Sequence, residues 1–312
     1  MAIEIKETEY ENFGRCVKIS NGIIEVLVTI DVGPRIIYFG FVGEQNMLYA
    51  DLERKCARHN EQFDSLYGKG TTFYNYGGHR LWLSPESSPA THYPDNDPVI
   101  YSILPDGVSF TPAQQKHNQM QLAFEVMMYE NASDIMIIHS VTNHSKEEHL
   151  MALWSVTMMK PGGIEIIPQN PEVEHLLPSR VLVLWPYSKM ADPRVFWGDR
   201  YVTLSYPHPM GPDSQFKYGT DNTQGWAAYL QGNTALVKRY VHNAEAAYPD
   251  CGASYETFIC DDFLEMETLS PLCSIRPNET VRHVENWSLF RSDFTPSPTD
   301  EAQIQECIDK LH

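Results

Sequence analysis

The stretch Met120-Gln121-Leu122-Ala123-Phe124-Glu125-Val126-Met127-Met128 decides the fold, because Met120, Leu122, Phe124, Val126 and Met128 recur at every second position. A period of two sends all five to one face of a β-strand, here predicted over residues 119–130. Working outward, residues 134–142 and 150–159 repeat the pattern around the turn Asn143-His144-Ser145-Lys146, and Pro161-Gly162-Gly163 closes that hairpin. Upstream, residues 99–104 and 107–111 read as strands, and residues 22–30 and 35–41 as a hairpin broken by Gly33-Pro34. Downstream, residues 180–185, 201–206, 225–230, 234–241, 254–260, 263–269 and 280–290 read as further short strands between Gly, Pro, Asn and Asp. So many antiparallel strands predict an all-β protein, a large antiparallel two-sheet β-sandwich that buries both inner faces. One β-sandwich domain over residues 1–292 is expected, with a tail over 293–312 packed on it. In that tail Ser297 is the expected helix cap, Pro298 the first helical residue, and Ile304, Cys307, Ile308 and Leu311 the apolar stripe.

The 312 residues are 42% hydrophobic, 12% aromatic and 21% charged, enough apolar surface for a large core. A formal net charge of -18 argues against nucleic acid and anionic membrane surfaces, which are held by clustered Lys and Arg. No apolar leader and no run of about 18 apolar residues occurs, so a cytoplasmic location is expected. Six scattered cysteines show no metal spacing and read as reduced thiols. No Gly-rich phosphate loop opens a helix, and neither a cofactor nor a metal is called for.

Chemically costly residues gather in Gly77-Gly78-His79-Arg80-Leu81-Trp82-Leu83-Ser84-Pro85-Glu86, which lacks a regular hydrophobic period and reads as a site. Residues 52–70 should form a surface loop or short helix leading into it, and the Pro/Ser/Asp-rich stretch to Pro98 a loop covering it. Far downstream, Glu265 and Glu267 stand at i and i+2 in an apolar strand, so both carboxylates share one face. An imidazole from His79 facing the Glu265 carboxylate across a neutral ligand would give acid–base catalysis near neutral pH. Glu267 with Asp250 or Glu256 could instead make an oxygen-rich cation site, though no spacing demands one.

The order Gly33-Pro34-Arg35-Ile36, Asn75 with Gly77-Gly78-His79, Thr142-Asn143-His144-Ser145, Leu264-Glu265, Ile275-Arg276-Pro277-Asn278-Glu279 and His283 resembles the galactose mutarotase (aldose 1-epimerase) superfamily over most of residues 15–292. The motifs around Gly77–Trp82, Leu182–Tyr187, Tyr248–Asp250 and Leu264–Thr268 look like a separate bacterial branch of it. The resemblance implies a galactose mutarotase-like supersandwich and an isomerase that interconverts sugar anomers, with a small carbohydrate as its ligand. It implies Glu265 as base and His79 as binding or acid group, with Arg80, Arg35, Asn75, Trp82, Glu86, Trp154, Trp185, Asp250 and Glu267 as candidate sugar-binding residues. The chain departs from the family in residues 150–157, where a second histidine is usual and none occurs. That leaves two rivals: a sugar-binding or regulatory protein without turnover, and a different isomerase or lyase reaction on a modified or acidic sugar.

Overall fold

A computed structural model describes residues 2–171, 176 and 178–311. Two large antiparallel sheets carry the fold. The first runs, in order, Glu4–Glu9, Arg15–Ser20, Ile24–Thr29, Ile36–Phe41, His79–Ser84, His149–Met159, Leu264–Leu269, Tyr255–Ile259, Phe216–Thr220 and Val183–Leu184, with Cys273–Ile275 also paired to His149–Met159. The second runs Val195–Trp197, Tyr201–Ser205, Ile164–Pro168, Trp226–Gln231, Thr234–Tyr240, Thr280–Arg291, Asp134–Asn143, Met120–Met128, Gly107–Thr111 and Ile100–Leu104. The strand Met120–Met128 alternates buried and half-buried residues along its whole length, as its period requires. On its buried face Phe124, Val126 and Met128 join Val26, Val28, Phe39, Trp287 and Leu289 in one core cluster, and Met120 and Leu122 join Leu81, Val141 and Leu153 in another. Fully burying each such side chain contributes roughly 1.5–3 kcal/mol.

The hairpin expected around Gly33-Pro34 forms between Ile24–Thr29 and Ile36–Phe41. Among the described residues nine strands escaped the sequence pattern: Glu4–Glu9, Arg15–Ser20, Ala57–Arg58, Phe73–Tyr74, His79–Ser84, Ile164–Pro168, Val195–Trp197, Phe216–Thr220 and Cys273–Ile275. The strand Glu4–Glu9 lies at the sheet edge and is polar apart from Ile5, and Phe216–Thr220 is buried on both faces, so neither alternates cleanly. The tail helix is Glu301–Asp309, and its cap is Asp300 rather than Ser297: the Asp300 carboxylate accepts from the Ala302 and Gln303 amides. Asp300 is the stronger cap for its added charge at the helix start. Ile304, Cys307, Ile308 and Leu311 cover Ile166, Ala228, Leu230 and Val237 on the outer face of the second sheet. All six cysteines are free, and among the described residues no helix is long and apolar enough to cross a membrane.

Candidate functional site

The strand His79–Ser84 places its side chains on opposite faces of the first sheet in strict alternation. Leu81 packs inward with Leu122, Val141 and Leu153, while Trp82 packs outward with Trp154, Phe73 and Phe263. Gly77 and Gly78 deliver the chain into this strand at positive φ, 91° and 69°. A Cβ there would lie 2.5 Å from the Tyr49 carbonyl and 2.2 Å from that of Ile36, so both positions need glycine.

On the outer face the strand registers line up the polar groups. Arg80 stands opposite Val156, Val156 opposite Glu267, and Glu267 opposite Glu256, while Glu265 stands opposite Phe258 and Phe258 opposite Lys217. These rows floor a cavity of about 280 Å³ lined by Arg58, Phe73, Asn75, Trp82, Glu86, His92, Trp154, Trp185, Tyr187, Gln215, Lys217, Phe258, Phe263 and Glu265. That volume sits at the small end of ligand pockets, roughly 300–1,000 Å³.

Lys217 anchors one end. Its ammonium lies 2.8 Å from both Glu256 Oε2 and Glu267 Oε2, and 4.7 Å from the ring centroids of Trp154 and Trp185. The position a cation would take between Glu267 and Glu256 is thus filled by the lysine. Burial opposes the Lys217 charge, but the two carboxylates outweigh it and its pKa goes up. Glu267 Oε2 also accepts the Trp154 indole N–H at 2.7 Å. Burial raises Glu256 well above the usual carboxylate range, more than Lys217 lowers it. Glu265, 9% exposed, is pushed up to about 8 by burial and by the neighbouring Glu267, against Lys217 and Arg80.

The other wall is the loop after Ser84, which contains no regular element, as its Pro and Ser content predicts. The helix Glu61–Tyr67 grips it, Tyr67 Oη donating to the Pro89 carbonyl at 2.7 Å, and Arg35 grips it through Asp95 at 2.9 Å. Glu86, before the first anchor, and His92, between the two, line the cavity. His92 is 5% exposed, its Nε2 lies 2.9 Å from Glu86 Oε1, and its Nδ1 is buried without a partner. The hydrogen bond from His92 holds Glu86 below its ordinary pKa.

His79 is not at this site. It points between the sheets, fully buried, at right angles to the Trp287 ring. Its neighbours fix its protons. His139 Nδ1 donates to the His283 carbonyl at 3.1 Å, so His139 Nε2 accepts from His79 Nε2 at 2.7 Å, and His79 Nδ1 accepts from Thr157 Oγ1 at 2.8 Å. Lys238 Nζ donates to Thr157 Oγ1 at 2.8 Å and to Glu285 at 2.9 Å. Glu285 also accepts from Thr268 at 2.5 Å and from the Trp287 indole at 2.8 Å. Burial drives His79 well below its ordinary pKa, His139 to about 4 and His283 to about 3, so all three are neutral at pH 7. Ligand atoms of His79, His139 and Glu285 come within 4.8 Å of one another, but each already has a hydrogen-bond partner and Lys238 supplies the positive charge.

Of the other expected residues, Asn75, Trp82, Glu86, Trp154, Trp185 and Glu265 line the cavity. Arg80 and Glu267 lie against it, bonded to Asn75 and Lys217 respectively. Arg35 does not reach it, because its guanidinium is committed to Asp95 and the Pro34 carbonyl. Asp250 sits outside the lining, in a turn at φ 48°, where it accepts from Ser84 Oγ at 3.3 Å. His92, Lys217, Arg58 and Tyr187 line the cavity and were not expected. The signal that could have revealed Lys217 is a lone charge set between two aromatic residues, Phe216 and Tyr218.

The architecture defines the class: a β-supersandwich with a polar, aromatic cleft on the outer face of one sheet. Its fold is the galactose mutarotase-like one. A putative aldose 1-epimerase from Klebsiella pneumoniae superposes with a TM-score of 0.59 at 12% identity, over 99% of this chain and 88% of that one. A galactose mutarotase-like protein from Clostridium acetobutylicum gives 0.52 at 13%, over 93% and 99%. A TPR-domain containing protein from Parabacteroides distasonis gives 0.61 at 13%, over 88% of this chain but 47% of that one, so this chain spans about half its length. No family model matches the sequence, and no curated protein does.

Proposed function

We propose that this cleft binds a small sugar in the cytoplasm and interconverts its anomers by acid–base ring opening. The observation that carries the reading is where the buried, unpartnered polar atoms fall. Of twelve such atoms among the described residues, six belong to Arg80 (Nε and Nη1), Trp82, His92, Glu256 and Glu267, in or against this one cavity. Buried polar groups are ordinarily bonded, so a cluster of free donors and acceptors marks the place of a ligand that both donates and accepts. Sugar hydroxyls do both, and Trp82, Trp154 and Trp185 offer ring faces to the C–H side of a pyranose.

Ring opening removes a proton from the anomeric hydroxyl and supplies one to the ring oxygen. Glu265 is the base. His92, oriented by Glu86 as a backing carboxylate orients an imidazole, supplies the proton in the place first given to His79. The free aldehyde then rotates and recloses on either face. Because Glu265 titrates at about 8, its basic form grows as pH rises, and so does the rate.

Exchange NMR on a panel of aldoses tests this. The protein should accelerate exchange between anomers, Glu265→Gln should reduce that acceleration by on the order of 10²–10⁴, and His92→Gln by about tenfold or more. Parental rates in the Glu265→Gln protein would end the assignment. One observation favours sugar binding without turnover: the strand His149–Met159 presents Trp154, Val156 and Met158 to the outer face and no histidine. Saturable binding in calorimetry with no accelerated exchange would select that reading.

A further inference from the structure

Among the described residues four lysine and arginine side chains are buried: Arg35 and Arg80 at 1% exposure, Lys217 at 5% and Lys238 at 0%. Three have a carboxylate at ion-pair distance. Arg35 has Asp95 at 2.9 Å, Lys217 has Glu256 and Glu267 at 2.8 Å, and Lys238 has Glu285 at 2.9 Å. Arg80 has only the neutral Asn75 amide oxygen, on Nη2, and two aromatic faces, Trp82 at 3.9 Å and Phe73 at 5.3 Å from its Cζ to the ring centroid. Its Nε and Nη1 are buried and unpartnered. Asn75, Trp82 and Phe73 all line the cleft, so the guanidinium lies directly behind its lining.

A guanidinium keeps its proton in proteins, and a buried charge is ordinarily paired. Among the described residues no carboxylate pairs with it. Glu265 and Asp95 pull on the Arg80 charge only from a distance, and Arg35 repels it. We infer that the pair is supplied by the ligand: the substrate is a sugar acid, whose carboxylate accepts from Arg80 Nε and Nη1. The inference rests on the sugar-site reading and narrows it to uronate-type sugars. One carboxylate balances one guanidinium, whereas a phosphate of charge near -2 would bring surplus negative charge beside Glu267 and Glu86. The chain's net charge of -18 does not oppose this, because exposed charges beyond about 10 Å are largely screened at ordinary salt while Arg80 acts by contact.

Calorimetry with glucuronate and galacturonate, against glucose, galactose, the two uronamides and glucose 6-phosphate, tests it on the unmodified protein. At least tenfold tighter binding of one uronate than of its parent sugar and its amide is expected, with the phosphate weaker than the uronate. Equal affinity for uronate and amide, or tighter phosphate binding, overturns it. In Arg80→Gln, with folding checked by thermal melting, the uronate-to-amide ratio should fall to near one; a ratio that survives overturns the assignment to Arg80. The two proposals separate cleanly. A uronate preference without anomer exchange leaves this inference standing and removes the epimerase, and exchange of neutral sugars with no preference does the reverse.

Discussion

His79 and Arg80 are neighbours in sequence and opposites in chemistry. His79 faces inward into a network whose donors and acceptors are matched from Lys238 through Thr157 and His139 to the His283 carbonyl. Arg80 faces outward into a cleft where the free atoms of Arg80, Trp82, His92, Glu256 and Glu267 await partners. Both faces are equally buried, so burial of polar residues does not by itself separate a site from a core. Satisfaction does: a matched network rigidifies, and an unmatched one is completed by something that binds.

Breaking the inner network should cost stability. Lys238→Met leaves Glu285 buried and uncompensated and should destabilise the protein by about 3–5 kcal/mol in denaturant melts. His79→Gln strands Thr157 and His139 and should cost about 1–3 kcal/mol by the same measurement. A cost near zero for either would mean that the inner face is not the matched network described.

The two faces also respond to pH with opposite signs. His79, His139 and His283 have folded pKa values below the unfolded value of about 6.5. As pH falls from about 6.5 toward 4 the unfolded chain binds protons that the folded one refuses, so the inner face loses stability. Glu265 has a folded pKa raised to about 8, so its contribution is complete below about pH 4.5 and is lost as pH rises to 8. Glu265→Gln should therefore gain on the parent by about 1.4 kcal/mol per pH unit between about 5 and 8, read from melts across pH. A pH-independent difference would place Glu265 in water.

The sandwich was legible because strands such as Met120–Met128 bury one face and half-expose the other. The ten residues from Gly77 were legible as costly but not as a strand, since His79–Ser84 buries polar and apolar groups on both faces and shows no hydrophobic period. Reading them as one site put His79 and Arg80 together, when the pleat sends them to opposite sides of the sheet. Glu265 and Glu267 kept their shared face, since the i, i+2 rule needs only that the segment be a strand. His92 lay beyond reach because its placement depends on Tyr67 and Arg35 holding a loop from two distant elements.

The central claim is that chemistry belongs to the outer face and stability to the inner one. Anomer-exchange rates of Glu265→Gln and His79→Gln, per folded molecule and on the best-bound sugar, test it most directly. The account predicts a loss on the order of 10²–10⁴ for Glu265→Gln and a parental rate for His79→Gln. A folded His79→Gln protein that loses exchange, or a Glu265→Gln protein that keeps it, would contradict the account.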